Sequence, residues 1–189
     1  MGMKKLLSGF GIDGRSGYSL ADLIMVFKIL SRGPMGRILL MKELGLGEAT
    51  VKTIVKNLRR QGFTRHSTKG EVLTGKGRKI ADYLESKVSR AFIVRLPVIS
   101  KKPTVAIVVR KASGKVKMGI EQRDEGMKMG VNVTTLVLKD GQASFPGTGE
   151  IAGGLENLEA NDGDIIIIAS GETIKKAERG GIAAALTLI

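Results

Sequence analysis

The chain of 189 residues contains no cysteine and one histidine, and its 42% hydrophobic and 26% charged residues are proportions typical of a globular protein. This length allows one domain of ordinary size or two small ones. The composition excludes disulfide frameworks, zinc–thiolate sites, iron–sulfur clusters and cysteine nucleophiles, and the single His66 excludes metal sites built on two histidines.

Positive charge is concentrated in the first half of the chain. Residues 1–95 contain 19 Lys or Arg and 7 Asp or Glu, a net charge of +12, whereas residues 96–189 have a net charge of +1. Such an imbalance favours a polyanion as the partner of the first half. Aromatic residues make up only 4% of the chain, which weakens a membrane-surface interpretation and a base-stacking, single-strand interpretation. We therefore expect double-stranded DNA as the partner.

Hydrophobic periodicity predicts a helical first half that follows a loose, glycine-rich segment over residues 1–18. Ser19 and Asp22 form a capping-box pattern at the start of the first helix. The predicted elements, in chain order, are helices over residues 19–31, 36–44 and 48–61, hairpin strands over 63–66 and 71–73, and a helix over 74–89.

This order of helices and hairpin is typical of a winged helix-turn-helix domain, and Gly45-Leu46-Gly47 supplies the tight link between the second and third helices. The stretch GPMGRILLMKELGLGEATVKTIVKNLRRQGFTRHSTKGEVLTGKGRKIA resembles winged-helix transcription regulators. Within it, LGLGEATVKTIVKNLRRQGF and LTGKG are similar to the recognition helix, the wing and the start of the following helix. The GPMGR opening resembles most an uncharacterised archaeal group in which this domain is joined to a C-terminal α/β domain. The resemblance covers residues 19–90 and implies an α+β protein with an N-terminal winged helix-turn-helix and a small C-terminal α/β domain.

One face of the third helix is predicted to contact DNA. Its apolar face consists of Val51, Ile54, Val55 and Leu58, so that Val55→Asp is expected to unfold the domain. Residues opposite that face are small enough to approach a groove or long enough to reach bases and phosphates. The basic hairpin tip is expected to contact phosphates or the minor groove. The candidate DNA-binding residues are Ala49, Lys52, Thr53, Lys56, Asn57 and Arg60 on the helix, and Arg65, His66 and Lys69 on the hairpin. A solvated helix face and an ordinary exposed hairpin are the alternatives.

In the second half strands alternate with helices, which predicts a small α/β or α+β sandwich over residues 104–189. A linker or first strand over residues 91–103 precedes it. Gly126 lies inside a predicted helix, where it costs about 1 kcal/mol relative to alanine. The predicted elements are strands over residues 92–99, 104–110, 131–138 and 164–168, helices over 119–130 and 172–186, a hairpin turn over 139–142 and a glycine-rich loop over 146–154.

The second half offers only weak candidates for a ligand site. Its glycine-rich loop lacks the spacing of a dinucleotide-binding motif and the Lys-Ser/Thr of a P-loop, so a plain loop or lid is the simpler interpretation. Charged residues on the predicted helix and polar residues after the isoleucine strand could line a pocket; solvated charges and a helix N-cap are the alternatives. The candidate ligand-binding residues are Glu121, Arg123, Asp124, Ser170 and Glu172.

Two functions from different classes are consistent with these patterns. The first is a DNA-binding transcriptional regulator, without catalytic residues, cofactor or metal, whose C-terminal domain senses a small-molecule effector or supplies a dimer contact. The second is a bifunctional enzyme in which the C-terminal domain modifies a small molecule; binding to structured RNA is a third, weaker interpretation. We expect a homodimer, because one winged helix covers few base pairs. We also expect a cytoplasmic protein without membrane association, because no apolar run is long enough to span a bilayer. The helix over residues 74–89 and the apolar segment over 180–189 are the candidate dimer contacts.

Overall fold

The computed structural model describes residues 17–189, and residues 1–16 of the segment expected to be loose lie outside the described residues. The chain divides into two compact units, residues 1–85 and residues 86–189, named unit 1 and unit 2 here. With this boundary unit 1 contains 16 basic and 7 acidic residues, a net charge of +9. Unit 2 contains 15 basic and 11 acidic residues, a net charge of +4. The excess remains in unit 1 but is less one-sided than a boundary after residue 95 suggests.

Unit 1 consists of helices and a two-stranded antiparallel hairpin. Its elements are α1 (Leu20–Leu30), α2 (Arg37–Leu44), α3 (Glu48–Arg60), β1 (Thr64–Ser67), β2 (Gly70–Leu73) and α4 (Gly75–Lys87), the last of which contains the unit boundary. The predicted capping box is confirmed, because Asp22 N donates to Ser19 Oγ at 3.3 Å and Ser19 N donates to Asp22 Oδ2 at 2.6 Å. The predicted helices and hairpin of this unit are confirmed with small shifts at their ends.

The core of unit 1 is built around α1, which is buried on all sides from Ala21 to Leu30. A helix that is mostly apolar around its circumference belongs inside a fold, and α1 also buries Asp22 and Lys28. Phe27 and Phe63 pack edge to face with ring centroids 5.7 Å apart. Tyr18 is also buried, which corrects the prediction that the loose segment extends to residue 18.

Unit 2 is a five-stranded sheet with helices on one face. Its elements are β3 (Phe92–Val94), β4 (Thr104–Val109), a 3-10 turn (Ser113–Lys115), α5 (Ile120–Lys128), β5 (Asn132–Lys139), β6 (Gln142–Ser144), β7 (Ile165–Ser170), α6 (Ile174–Ala185) and a 3-10 turn (Leu186–Leu188). The strand order is β3-β4-β7-β5-β6, and every pairing is antiparallel. The protein is therefore a mixed α+β structure.

Of the two predicted arrangements of this half, the antiparallel sheet agrees with α+β and corrects α/β. β4 and β5 run in the same direction and are joined through α5, as in a β-α-β crossover. However, β7 lies between them and pairs antiparallel with both. The alternation of strands and helices along the sequence reveals the crossover but not the strand inserted into it.

Both faces of the sheet are covered, which explains why all six residues of β4 and all six of β7 are buried. α6 packs on β4, β5 and β7, and α5 packs on β5 and on α6. Loops cover the other face around a cluster that includes Leu96, Ala106, Leu136, Leu155 and Ile166. Since β3 pairs with β4 and Leu96 is in this cluster, residues 91–103 belong to unit 2, which agrees with the first-strand alternative and not with the linker.

Two glycines fix how the helices sit on this sheet. A Cβ at Gly126 of α5 would lie 2.2 Å from Val133 Cγ2, and a Cβ at Gly180 of α6 would lie 2.1 Å from Val131 Cγ2. Gly126, predicted to weaken its helix, is thus the residue that lets α5 approach β5. The apolar segment over residues 180–189 is largely buried within unit 2, so it is not available as the predicted dimer contact.

Candidate functional site

The outward face of α3 is the helix face that the sequence predicts to contact DNA. Val51, Ile54 and Leu58 are buried. The side of α3 away from them is exposed and carries no carboxylate, and its residues are Ala49, Lys52, Thr53, Lys56 and Arg60. Thr53 Oγ1 donates to the carbonyl of Ala49 at 2.9 Å, so this hydroxyl is partly satisfied by its own helix. Three cations spaced along one face can follow the phosphates of a polyanion.

Asn57 lies at the flank of this face, as predicted. It is half-buried, and its Nδ2 donates to the hydroxyl of Tyr18 at 2.8 Å. The buried stripe lies toward Ile54 and Leu58, which turns Asn57 to the flank where Tyr18 packs. The flank position agrees with the sequence-based prediction, and contact of Asn57 with a base stays a prediction, with its amide already bound to Tyr18 in unit 1.

Val55 lies at the other edge of the buried stripe. It is half-buried, whereas its neighbours Val51, Ile54 and Leu58 are fully buried. The prediction that Val55→Asp unfolds the domain assumed a core position. Since a side chain at the edge of the stripe can turn toward water, this prediction loses its basis.

The hairpin presents its three predicted residues, Arg65, His66 and Lys69, as exposed side chains. Its turn consists of Thr68 and Lys69, and Ser67 Oγ donates to the Gly70 carbonyl at 2.7 Å. β2 also pairs with residue 35: Met35 N donates to Glu71 O, and Glu71 N donates to Met35 O, both at 2.9 Å. Gly70 has φ +112°, and a Cβ there would lie 2.5 Å from the Met35 carbonyl carbon, so this close approach requires glycine.

Arg59 and Glu71 form an ion pair that sequence reasoning missed. The Glu71 side chain is only 3% exposed, and Arg59 Nε donates to both of its carboxylate oxygens at 2.9 Å. The hydrogen bond to Glu71 raises the pKa of Arg59 above the ordinary arginine value and outweighs the opposing effect of burial, and the charge of the carboxylate adds a smaller increase. A guanidinium nitrogen of Arg59 also lies 3.4 Å from Nδ1 of His66. One signal for this pair is present in the sequence: Glu71 is an isolated acidic residue in a basic hairpin, and Arg59 has no predicted role.

The structure does not gather the charged candidates of α5 into a site. Glu121, Arg123 and Asp124 are exposed on the helix surface, and Arg123 and Asp124 face each other with nitrogen and oxygen 3.7 Å apart. Across residues 17–189 no group of three His, Asp or Glu side chains is placed to hold a metal ion. The alternative of solvated helix charges describes these three residues best.

Ser170 and Glu172 also serve local structure. Ser170 is buried at the end of β7, with its hydroxyl 3.0 Å from that of Thr104. Thr173 caps α6 by accepting from Lys176 N at 3.1 Å, so the predicted N-cap over residues 170–172 is shifted. Lys176 pairs with Glu172 at 2.9 Å and lowers the pKa of that carboxyl. The rule that places ligands beyond strand ends applies to parallel sheets, and this sheet is antiparallel.

A cavity of about 600 Å³ in unit 2 lies elsewhere, between the β5–β6 hairpin and the loop that precedes β7. Its floor is apolar and includes Leu138, Leu155 and Ile166, while Glu156 and Asp162 are among its polar lining residues. Sequence reasoning missed this cavity, because its lining comes from loop residues without periodicity.

Comparison with known proteins places the chain in a family. Residues 99–188 match the family described as a domain of unknown function, DUF4443. The solved structure of the hypothetical protein PH0730 from Pyrococcus horikoshii OT3 is similar to this chain, with 31% sequence identity and a TM-score of 0.77 over 90% of this chain and 92% of the other. The chain belongs to the same family as PH0730.

This family relationship extends beyond unit 2, because the shared region is longer than unit 2. It agrees with the expected resemblance to an uncharacterised archaeal group. No curated protein matches the chain. In the described part of the chain no helix combines the length and apolarity needed to cross a membrane.

Proposed function

We propose that unit 1 is a winged helix-turn-helix that binds double-stranded DNA and that the protein is a transcriptional regulator. The observation that carries the proposal is the exposed face of α3, on which Lys52, Lys56 and Arg60 stand opposite the buried stripe with no carboxylate among them. A helix of this composition can enter a major groove with its small residues nearest the bases and its cations near phosphates.

The connection between α2 and α3 supports this reading. Gly45 ends α2 in the left-handed region with φ 65° and ψ 31°, and its N–H donates to the Met41 carbonyl at 2.9 Å. Gly47 then caps α3 in an extended conformation. Two glycines therefore turn the chain within three residues, as a helix-turn-helix requires.

The hairpin fits the role of a wing. Arg65, His66 and Lys69 are exposed, and two contacts of Glu71 hold the hairpin that carries them in place. The backbone of Glu71 pairs with Met35, and its carboxylate pairs with Arg59 of α3. The hairpin is thus oriented relative to α3 before any partner binds, which reduces the entropy lost on binding.

Unit 2 is proposed to sense an effector or to hold two copies together. Its 600 Å³ cavity is within the range of small-molecule sites, which supports the first role. A ligand there would regulate DNA binding only if its affinity differs between the two states of the protein. An enzymatic role for unit 2 stays a prediction, without a specific observation in its favour.

DNA binding by the full chain is tested by fluorescence anisotropy with a labelled, mixed-sequence duplex. The duplex has about 25 base pairs, long enough for two half-sites. We expect affinity to fall steeply with salt, because bound phosphates release counterions. Lys56→Ala and Arg60→Ala should each weaken binding and lower the salt slope by about one. Lys117→Ala, which removes an exposed lysine of unit 2, is the matched control and should bind as the wild type does.

Two results would overturn the proposal. One is the absence of duplex binding at low salt by a chain with a cooperative thermal transition. The other is an equal loss of affinity in Lys56→Ala, Arg60→Ala and Lys117→Ala, since this would indicate unspecific attraction to a basic protein and no role for the face of α3.

A further inference from the structure

A groove of about 670 Å³ lies within unit 1 between α2, α3 and the hairpin. Its apolar side includes Ile38 and Leu39 at the start of α2, whose relative exposures are 78% and 55%. Val55 of α3, the half-buried residue at the edge of the core stripe, faces them across the groove. Adjacent large aliphatic side chains left open to water at a concave surface are typical of a ligand or partner site.

The charges at this groove have one sign once the internal pairs are considered. Glu71 is neutralised by Arg59, and Arg37 pairs with Glu48 at 3.1 Å. Within the part of the chain that the structure describes, no acidic side chain pairs with Lys52 or Lys56. The groove therefore combines an apolar wall with two ammonium groups that have no counter-charge.

The spacing of the α3 residues lets one ligand use both features. Lys52, Val55, Lys56 and Arg59 are at i, i+3, i+4 and i+7 and form one stripe along the groove. Lys52 and Lys56 are neighbours on the helix surface, so a single anionic group can approach both. A body of aromatic or aliphatic carbon can then lie against Val55, Ile38 and Leu39.

We propose that this groove binds a small organic anion: an aromatic or aliphatic body that carries a carboxylate, sulfonate or phosphate. The anionic group pairs with Lys52 and Lys56, and the apolar body covers the side chains of α2. The volume is in the range that encloses a molecule of this kind.

A regulatory consequence rests on the proposed function. Lys52 and Lys56 belong both to the groove and to the outward face of α3 proposed to contact DNA. One ammonium group cannot neutralise a ligand anion and a DNA phosphate at full strength at the same time. The organic anion and the duplex therefore compete, and the affinity of each falls in the presence of the other by the same factor.

The test uses 8-anilinonaphthalene-1-sulfonate, an aromatic sulfonate whose fluorescence rises in an apolar environment, with the full chain. Leu39→Ser and Lys56→Gln should each weaken its binding at least about fivefold, since each removes one of the two attractions. Two variants of unit 2 are the controls and should leave the affinity for the sulfonate unchanged. Ile93→Ser removes an exposed aliphatic side chain, and Lys117→Gln removes an exposed lysine. Thermal melts of all four variants establish that they are folded.

The outcomes separate the site from the proposed function. Equal affinity in all four variants, or an equal loss in the two controls, overturns the anion site. Displacement of the bound sulfonate by duplex DNA supports competition, and undiminished sulfonate binding at a saturating duplex concentration overturns it. Leu39→Ser should keep wild-type affinity for the duplex, because Leu39 is outside the proposed DNA face. A chain that binds the sulfonate as expected but binds no duplex contradicts the proposed function and retains the anion site.

Discussion

Arg59 on α3 places its Nε 2.9 Å from both carboxylate oxygens of Glu71 on the hairpin, and the two residues are unequally buried. The Arg59 side chain is 45% exposed, whereas that of Glu71 is 3% exposed. The guanidinium can therefore reach water without its partner, but the carboxylate cannot. The pair joins two elements that both belong to the proposed DNA-binding surface.

This inequality predicts an asymmetric response to mutation. Arg59→Met should lower the free energy of unfolding by about 3 kcal/mol, because it leaves a buried carboxylate without its counter-charge. Glu71→Gln should cost only about 1 kcal/mol, since Arg59 remains hydrated and the amide fills the same space. Urea denaturation at neutral pH measures both values. A larger loss in Glu71→Gln than in Arg59→Met would contradict the assigned burial.

The helix phase of α3 gives a second prediction. Ile54→Asp should prevent folding of unit 1, because it places an unpaired charge at a fully buried position. Val55→Asp should fold and lose roughly 1 kcal/mol, the central value for point substitutions, because Val55 is half-buried. Circular dichroism and limited proteolysis distinguish the two variants. If Val55→Asp unfolds and Ile54→Asp does not, the buried stripe lies on the other side of the helix.

Gly126 gives a third prediction, in which helix propensity and packing have opposite signs. Gly126→Ala would gain about 1 kcal/mol from helix propensity. The added methyl would lie 2.2 Å from Val133 Cγ2, and overpacking of this kind costs roughly 1–3 kcal/mol, which offsets or exceeds that gain. We expect a net loss of stability in thermal denaturation, part of which the double variant with Val133→Ala recovers. The control is Gly114→Ala, where an added Cβ meets no atom within 4 Å. A stabilised Gly126→Ala protein would show that α5 is farther from β5.

Assembly gives a fourth prediction. DNA recognition by one winged helix favours two half-sites, so we expect a homodimer. Light scattering at micromolar concentration in moderate salt should give about twice the chain mass of 20.2 kDa. A mass of one chain would contradict this expectation. Because residues 180–189 are largely buried inside unit 2, a dimer contact has to come from another surface.

The elements of unit 1 could be predicted because their signals are local. Ser19 and Asp22 are three residues apart, and the turn at Gly45 follows directly from glycine chemistry. The hydrogen bond from Asn57 to Tyr18 could not be predicted, because Tyr18 is 39 positions away in a segment with no periodicity. The Arg59–Glu71 pair was missed for the same reason, since it crosses from a helix to a hairpin.

In unit 2 the strands themselves were predictable, but their arrangement was not. The run of isoleucines in β7 indicates a strand buried on both faces, as the structure confirms. Nothing in that run says which strands are its neighbours, and both parallel and antiparallel partners bury such a strand equally well. The cavity beside the β5–β6 hairpin depends on this arrangement and was equally hidden.

The position of β7 in the sheet has a consequence for biosynthesis. β4 and β5 each pair along six positions with β7, which is synthesised after both of them. During synthesis the apolar strand over residues 104–109 therefore stays unpaired along the edge that later contacts β7, until residues 165–170 leave the ribosome. Unit 1 has no such delay, because its hairpin closes through a two-residue turn and its helices are consecutive. Nascent unit 1 can fold while the chain grows, whereas nascent unit 2 needs its exposed strands protected until residues 165–170 are available.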